Sequence, residues 1–325
     1  MSKFLVLLIL SIELFACGRG YYIPDFYKDG YFDFLPKQKT PLQNYSYINT
    51  RAYGDAKDYY QKIRNELNIK EWSEYLKVSK DDAKLIVYKD KKPFMITDSK
   101  KREEFVTYKN ALKNIKDFDT NWTKVEQIFL PLYTNEKLPF FKLRLAYNLI
   151  KSYHNQKKFD KELEFINSLK KDDFPNSIVW EWIDSFKAGA IKNKGDLVTS
   201  SYLFSKIFAT HKSDAYIGYY DFEIKSDKEW QELLSLAQTN EEITLFYYLR
   251  SLNPKANKLL ELKEMTKIEP DSKWVKNLSF MLAQRVQFLS YLRQEEKLDK
   301  NQEKFIKDYL SYLDKEQKFL LNFRT

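Results

Sequence analysis

From residue 55 onward, apolar side chains recur at three- and four-residue steps between charged ones, the period of a helix with one buried face. Tyr59, Ile63 and Leu67 open the series, with Asp55 placed to cap it. Trp72, Tyr75 and Leu76 make a short apolar face, and Ser79-Lys80-Asp81-Asp82 reads as a cap for a helix through Val87. Lys89 to Lys92 followed by Pro93 is a break. Further helices are predicted over 100–115 and 121–133, the second with Trp122, Val125 and Phe129 inward. Residues 55–135 thus form an N-terminal helical region.

From 136 to 325 the pattern continues as helix pairs. In one, over 143–169, Ala146, Leu149, Tyr153, Phe159, Ile166 and Leu169 fall where tetratricopeptide repeats place packing residues, and Gln156-Lys157-Lys158-Phe159-Asp160 resembles that family's inter-helix turn. A second runs over 181–208, with Ile183, Phe186 and Ala190, a turn at Gly195-Asp196, then Ser200, Phe204 and Ile207. A third spans 242–270, with Leu245, Leu249, Leu262 and Met265 inward and Asn253-Pro254 turning. Between the last two lie Tyr216, Tyr219, Tyr220 and Phe222, then a helix around Trp230, Leu233 and Leu236. Leu278 to Leu292 and Phe305 to Phe319 mark two more helices. Only seven glycines and nine prolines among 325 residues argue against an all-β fold and against glycine-built phosphate loops, so the expected class is all-α.

These pairs resemble tetratricopeptide repeats. Two departures stand in the first: Ile150 replaces a small residue where the helices approach, and Glu162 replaces an alanine. The resemblance implies a helical-hairpin solenoid whose first helices line a concave, protein-binding face. Positions matching that face are Arg144, Tyr147, Lys151, His154 and Asn155, then Glu181, Asp184, Ala188, Ile191 and Lys192. The first set is basic and suits an acidic segment or a carboxylate. The chain stops at Asn322-Phe323-Arg324-Thr325 without a recognisable polar end cap, which reads as a truncated member of a longer family.

The N-terminus has a different pattern. Lys3, an apolar stretch from Phe4 to Ile12 and a small residue at Ala16 have the order of an export signal, and Leu14-Phe15-Ala16-Cys17 resembles the lipobox of bacterial lipoproteins. The apolar stretch is about half the roughly 20 residues of a membrane-spanning helix. The resemblance implies that residues 1–16 are removed and Cys17 is lipidated, anchoring the chain to the membrane. Gly18 and Arg19 stand where many inner-membrane lipoproteins carry Asp, so an outer-membrane site facing the periplasm is favoured. Residues 17–54 are an irregular, aromatic-rich segment: twelve aromatics lie between Tyr21 and Tyr60, interrupted by Pro24, Pro36 and Pro41. They suit docking on the folded body, or stacking on an envelope glycan.

Charge and chemistry narrow the function by exclusion. The formal charge of +9 comes overwhelmingly from lysine, with nine arginines in all, and an exported chain would not meet chromosomal DNA, so no nucleic-acid partner is expected. Cys17 is the only cysteine, and the two histidines, His154 and His211, lie in different helix pairs, so no metal or cofactor is expected. Nucleophile-elbow, phosphate-loop and zinc-protease signatures are absent. The expected function is a membrane-anchored envelope lipoprotein, not an enzyme, that binds another envelope protein as scaffold or adaptor. The alternative is an envelope glycan-binding protein or a hydrolase acting on peptidoglycan or polysaccharide, since two carboxylates across a cleft suffice for that chemistry.

Overall fold

Helices laid side by side as antiparallel pairs make up the body of the protein. The structure is a computed structural model that describes residues 53–279, apart from 90–92, 117–118, 172–173 and 254–255, with side chains described from Tyr60 onward except Leu259. Cys17, the signal segment, the aromatic-rich stretch before Tyr53 and the two predicted C-terminal helices beyond 279 lie outside the described residues. Every described element is helical, and all of them fall in one compact unit. The architecture is an all-α helical-hairpin solenoid.

Helix α1 (Tyr53–Leu76) is followed by α2 (Lys80–Lys89), a 3-10 turn (Pro93–Met95), α3 (Ser99–Leu112) and α4 (Trp122–Asn135). Asp55 lies inside α1 rather than capping it, and Trp72, Tyr75 and Leu76 belong to the same helix. Lys77 stops it with a φ of 57°. The predicted cap at Ser79 is present, accepting from the amide of Asp82 at 3.1 Å, and Asn121, expected as the first helical residue, instead caps α4 through the Lys124 amide at 3.0 Å. Asp98 caps α3 in the same way through the Lys101 amide.

The pairs follow: α5 (Pro139–Asn155) with α6 (Phe159–Ser168), α7 (Val179–Asn193) with α8 (Leu197–Thr210), and α11 (Asn240–Ser251) with α12 (Lys258–Ile268); between the last two, the short α9 (Ala215–Asp221) and α10 (Asp227–Leu236) each pack on α8. Helix α7 packs on both α5 and α6, and α8 on α7, α9, α10 and α11. The second pair thus stacks on the first, and α8 carries the chain on to α9, α10 and α11, the neighbour-to-neighbour connectivity of a solenoid. Gly195, at a φ of 94°, and the Asp196 cap make the turn between α7 and α8.

The N-terminal helices are fixed to the solenoid by an aromatic core. The Trp72 ring meets Phe140 edge-on at 4.7 Å and Phe105 at 5.4 Å, while Tyr75 stacks on Phe140 at 3.8 Å. Rings in such offset or edge-on pairs each add about 0.5–1.5 kcal/mol beyond their area burial. This anchors the second half of α1 and leaves its first half running towards α9, with which it also packs.

The two departures from the repeat pattern are both absorbed. Ile150 is fully buried between α5 and its neighbours. Glu162, also fully buried, places both carboxylate oxygens 3.1 Å from Nδ1 of His154. Gly189 leaves space for that imidazole, since a Cβ there would stand 3.3 Å from its Cε1.

Candidate functional site

The first helices of two successive pairs, α5 and α7, and the short α9 supply a row of aromatic and ionic side chains, and α1 lies across it. Tyr60, Arg64, Leu67 and Glu71 follow one another at steps of four, three and four, so they share one face of α1. Tyr60 stacks on Tyr216 of α9 with ring centroids 5.2 Å apart. Arg64 sits 4.2 Å over the Trp182 ring of α7, donates from Nη2 to the Tyr147 hydroxyl of α5 at 2.8 Å, and lies 3.5 Å from the Asp214 carboxylate. Leu67 packs into the cluster of Leu143, Ile150 and Ile183. Glu71 lies 3.3 Å from Arg144 Nη2 and accepts from the Ile178 amide at 3.3 Å.

Asp214 is held from the solenoid side as well. It is 1% exposed, and the hydroxyls of Ser185 and Ser213 donate to it at 2.9 and 3.1 Å. A carboxylate that deep needs its partners, because removing one leaves an uncompensated buried charge.

The residues expected on the concave face are thereby distributed over different roles. Arg144 is 2% exposed, sandwiched against Phe140 at 3.6 Å and Trp72 at 4.7 Å and paired with Glu71. Burial pulls its pKa down, and the Glu71 charge opposes that pull. Tyr147 is bonded to Arg64 and packed edge-on against Phe186, and burial pushes its pKa up. His154 is tied to Glu162 and flanked by Phe159 and Phe186. Asn155 is exposed and donates to the Lys151 carbonyl. In the second set, Glu181 accepts from the amides of Lys212 and Ser213, Asp184 pairs with His211, Ala188 is buried, and Lys192 pairs with Asp221 and Glu223.

Lys151 differs from the rest. Its Nζ lies 5.7 Å from the Trp122 ring centroid and 6.0 Å from that of Tyr147, and among the described residues it has no hydrogen-bond or ion-pair partner. Burial, and then the charge of Arg64, lower its pKa. A partly buried ammonium beside a second cation, with aromatic faces on two sides, favours a carboxylate or another anion.

Sequence reasoning did not single out Arg64, Trp182, Asp214 or Tyr216 for this face. Trp182 lies between Glu181 and Ile183, two positions that the repeat pattern marks. The 60-64-67-71 ridge was legible only as a mixed series, because two of its members are charged. Among the described residues no cluster of three metal-ligating side chains occurs, and no helix is long and apolar enough to cross a membrane. No family of known proteins, no curated protein and no solved structure matches the chain.

Proposed function

We propose that this chain is a lipid-anchored envelope lipoprotein that serves as an adaptor, binding another envelope protein beside α1, at the end of the α5 face that carries Lys151 and the exposed Asn155. The observation that carries this reading is the way the row holds α1: a helix is gripped through stacked rings, a guanidinium on an indole and ion pairs. Surfaces of that composition, rich in Tyr, Trp and Arg, dominate protein-protein recognition. Lys151, which has no ion-pair partner among the described residues, supplies the attraction for an acidic side chain or terminal carboxylate of the partner. Cys17 would hold the adaptor at the membrane, facing the periplasm, and no catalytic step is assigned to it.

The test is crosslinking in intact cells from a photoreactive residue at the exposed Asn155, followed by mass spectrometry. The adaptor reading predicts capture of an exported protein. Capture of glycan or lipid alone would refute it. For the anchor, Cys17→Ala should abolish palmitate incorporation and release the chain from membranes.

A further inference from the structure

Where α4 and α6 end and α5 and α7 begin, a cleft of about 340 Å³ opens, within the roughly 300–1,000 Å³ usual for small-molecule sites. It exists because α6 stops at Ser168 and the chain leaves it through Leu169 in an extended conformation instead of continuing along α5. The Leu169 amide still bonds to the Ile166 carbonyl at 3.1 Å, which fixes this rim. Helix α5 supplies an aliphatic wall, Leu143 and Ala146, both buried and three positions apart on one face.

The other walls are aromatic and held in place. Tyr133 of α4 meets Phe165 edge-on at 5.1 Å, and Phe174 meets Phe140 in the same way at 5.5 Å. The Trp180 indole N–H donates to the Phe174 carbonyl at 2.9 Å, so with its one donor engaged Trp180 offers the cleft apolar surface alone. Rings from α4, from the segment between α6 and α7 and from α7 thus line one cleft, and a flat aromatic body can pack offset or edge-on against them.

Charge decides what else the occupant must carry. Lys142 and Lys170 line the cleft, and among the described residues no carboxylate side chain does. The Lys142 ammonium lies 5.3 Å from the Tyr133 ring centroid, and neither lysine has a hydrogen-bond or ion-pair partner among the described residues. Two uncompensated cations beside apolar walls call for an anion. The hydration an ion loses in such surroundings grows with the square of its charge, which favours a monoanionic carboxylate over a phosphate ester of about −1.5 to −2.

We propose that this cleft binds a small aromatic carboxylate, its ring among Tyr133, Phe174 and Trp180 and its carboxylate on Lys142 and Lys170. Lys142 lies nine positions from Lys151, roughly 13–14 Å along α5, so the site is separate from the adaptor surface and either can fail alone. The test is photolabelling of the full chain with para-benzoylbenzoate, followed by peptide mass spectrometry. Label is expected on peptides carrying Tyr133, Leu143 or Trp180, and far less from uncharged para-methylbenzophenone at the same concentration. Lys142→Gln, and Lys170→Glu at an exposed position, should each lower the yield about tenfold, the loss expected for one hydrogen bond to a charged group. Ser168→Trp, at an exposed position in the lining, fills the cleft without changing its charge and should abolish the label with the far-UV circular dichroism unchanged. Equal labelling by the uncharged ketone, absence of label from those peptides, or labelling that all three substitutions leave unaltered would overturn the proposal.

Discussion

Arg64 and Trp182, 118 positions apart in the chain, meet with the guanidinium 4.2 Å above the indole ring, and this contact couples the N-terminal helix to the solenoid. Arg64→Ala removes that contact, the bond to Tyr147 and the ion pair to the buried Asp214. The expected destabilisation is about 2–4 kcal/mol, because the stranded carboxylate costs more than the pair itself contributes. Urea denaturation measures it. Arg64→Lys should recover only part of the loss, since an ammonium cannot stack on the indole and reach both oxygen partners from one plane.

Glycines 218 and 189 predict opposite outcomes for the same substitution. Gly218→Ala drives a methyl to 2.4 Å from a backbone oxygen, so α9 must lift from α8 at a cost of about 2–4 kcal/mol. At Gly189 the nearest atom is the His154 ring at 3.3 Å, which a small side-chain shift relieves. The gain of up to about 1 kcal/mol in helix propensity then offsets the crowding, and Gly189→Ala should be near neutral. Thermal unfolding of the two variants compares them directly.

Stability should respond to pH through Glu104 in the direction opposite to an ordinary ion-paired carboxylate. The hydrogen bond to Glu136, then partial burial, lift its pKa from 4.5 to about 7. Glu136 is held in place by the amides of Lys137 and Leu138, which donate to its Oε1 at 2.8 and 2.7 Å. Between those two values the folded state keeps a proton that the unfolded chain has released, so this group's contribution falls as pH rises through the window. Glu104→Gln should raise the urea midpoint at about pH 8 and leave it unchanged at about pH 4. Equal effects at both would contradict the assignment.

Glu126 runs the other way. Burial would raise its pKa, but hydrogen bonds from Lys158, Lys161 and Gln156 outweigh that and bring it to about 2. Its contribution is complete above 4.5 and is lost as pH falls towards 2. Glu126→Gln should therefore lower the midpoint at neutral pH and have little effect below about pH 2.

Much of the solenoid was legible because its helices bury aliphatic and aromatic residues at regular steps: Leu149, Tyr153 and Ile166 in one pair, Ile183, Phe204 and Ile207 in the next are all buried as their spacing implied. Helix α1 was harder to read. Asp55 resembles a cap, and the face that matters carries Arg64 and Glu71, which apolar periodicity passes over. Arg144 shows the same limit from the other side: its position matched a concave face, but the Glu71 that covers it lies 73 positions upstream. Local spacing carries no information about such a pairing. Glu162 was visible as a departure from the repeat, and its explanation needed the His154 ring and the space over Gly189 together.

Lys151 carries the central claim, since it is the concave-face cation with no partner among the described residues. Lys151→Met, which relieves an uncompensated partly buried charge, should raise stability by about 1 kcal/mol while reducing partner recovery. The most direct measurement is the yield of the Asn155 photo-crosslinked adduct in cells carrying Lys151, Lys151→Arg or Lys151→Glu. The adaptor account predicts that Lys151→Arg retains the adduct and Lys151→Glu loses it with the fold intact by circular dichroism. An adduct whose yield is unchanged in Lys151→Glu would contradict it.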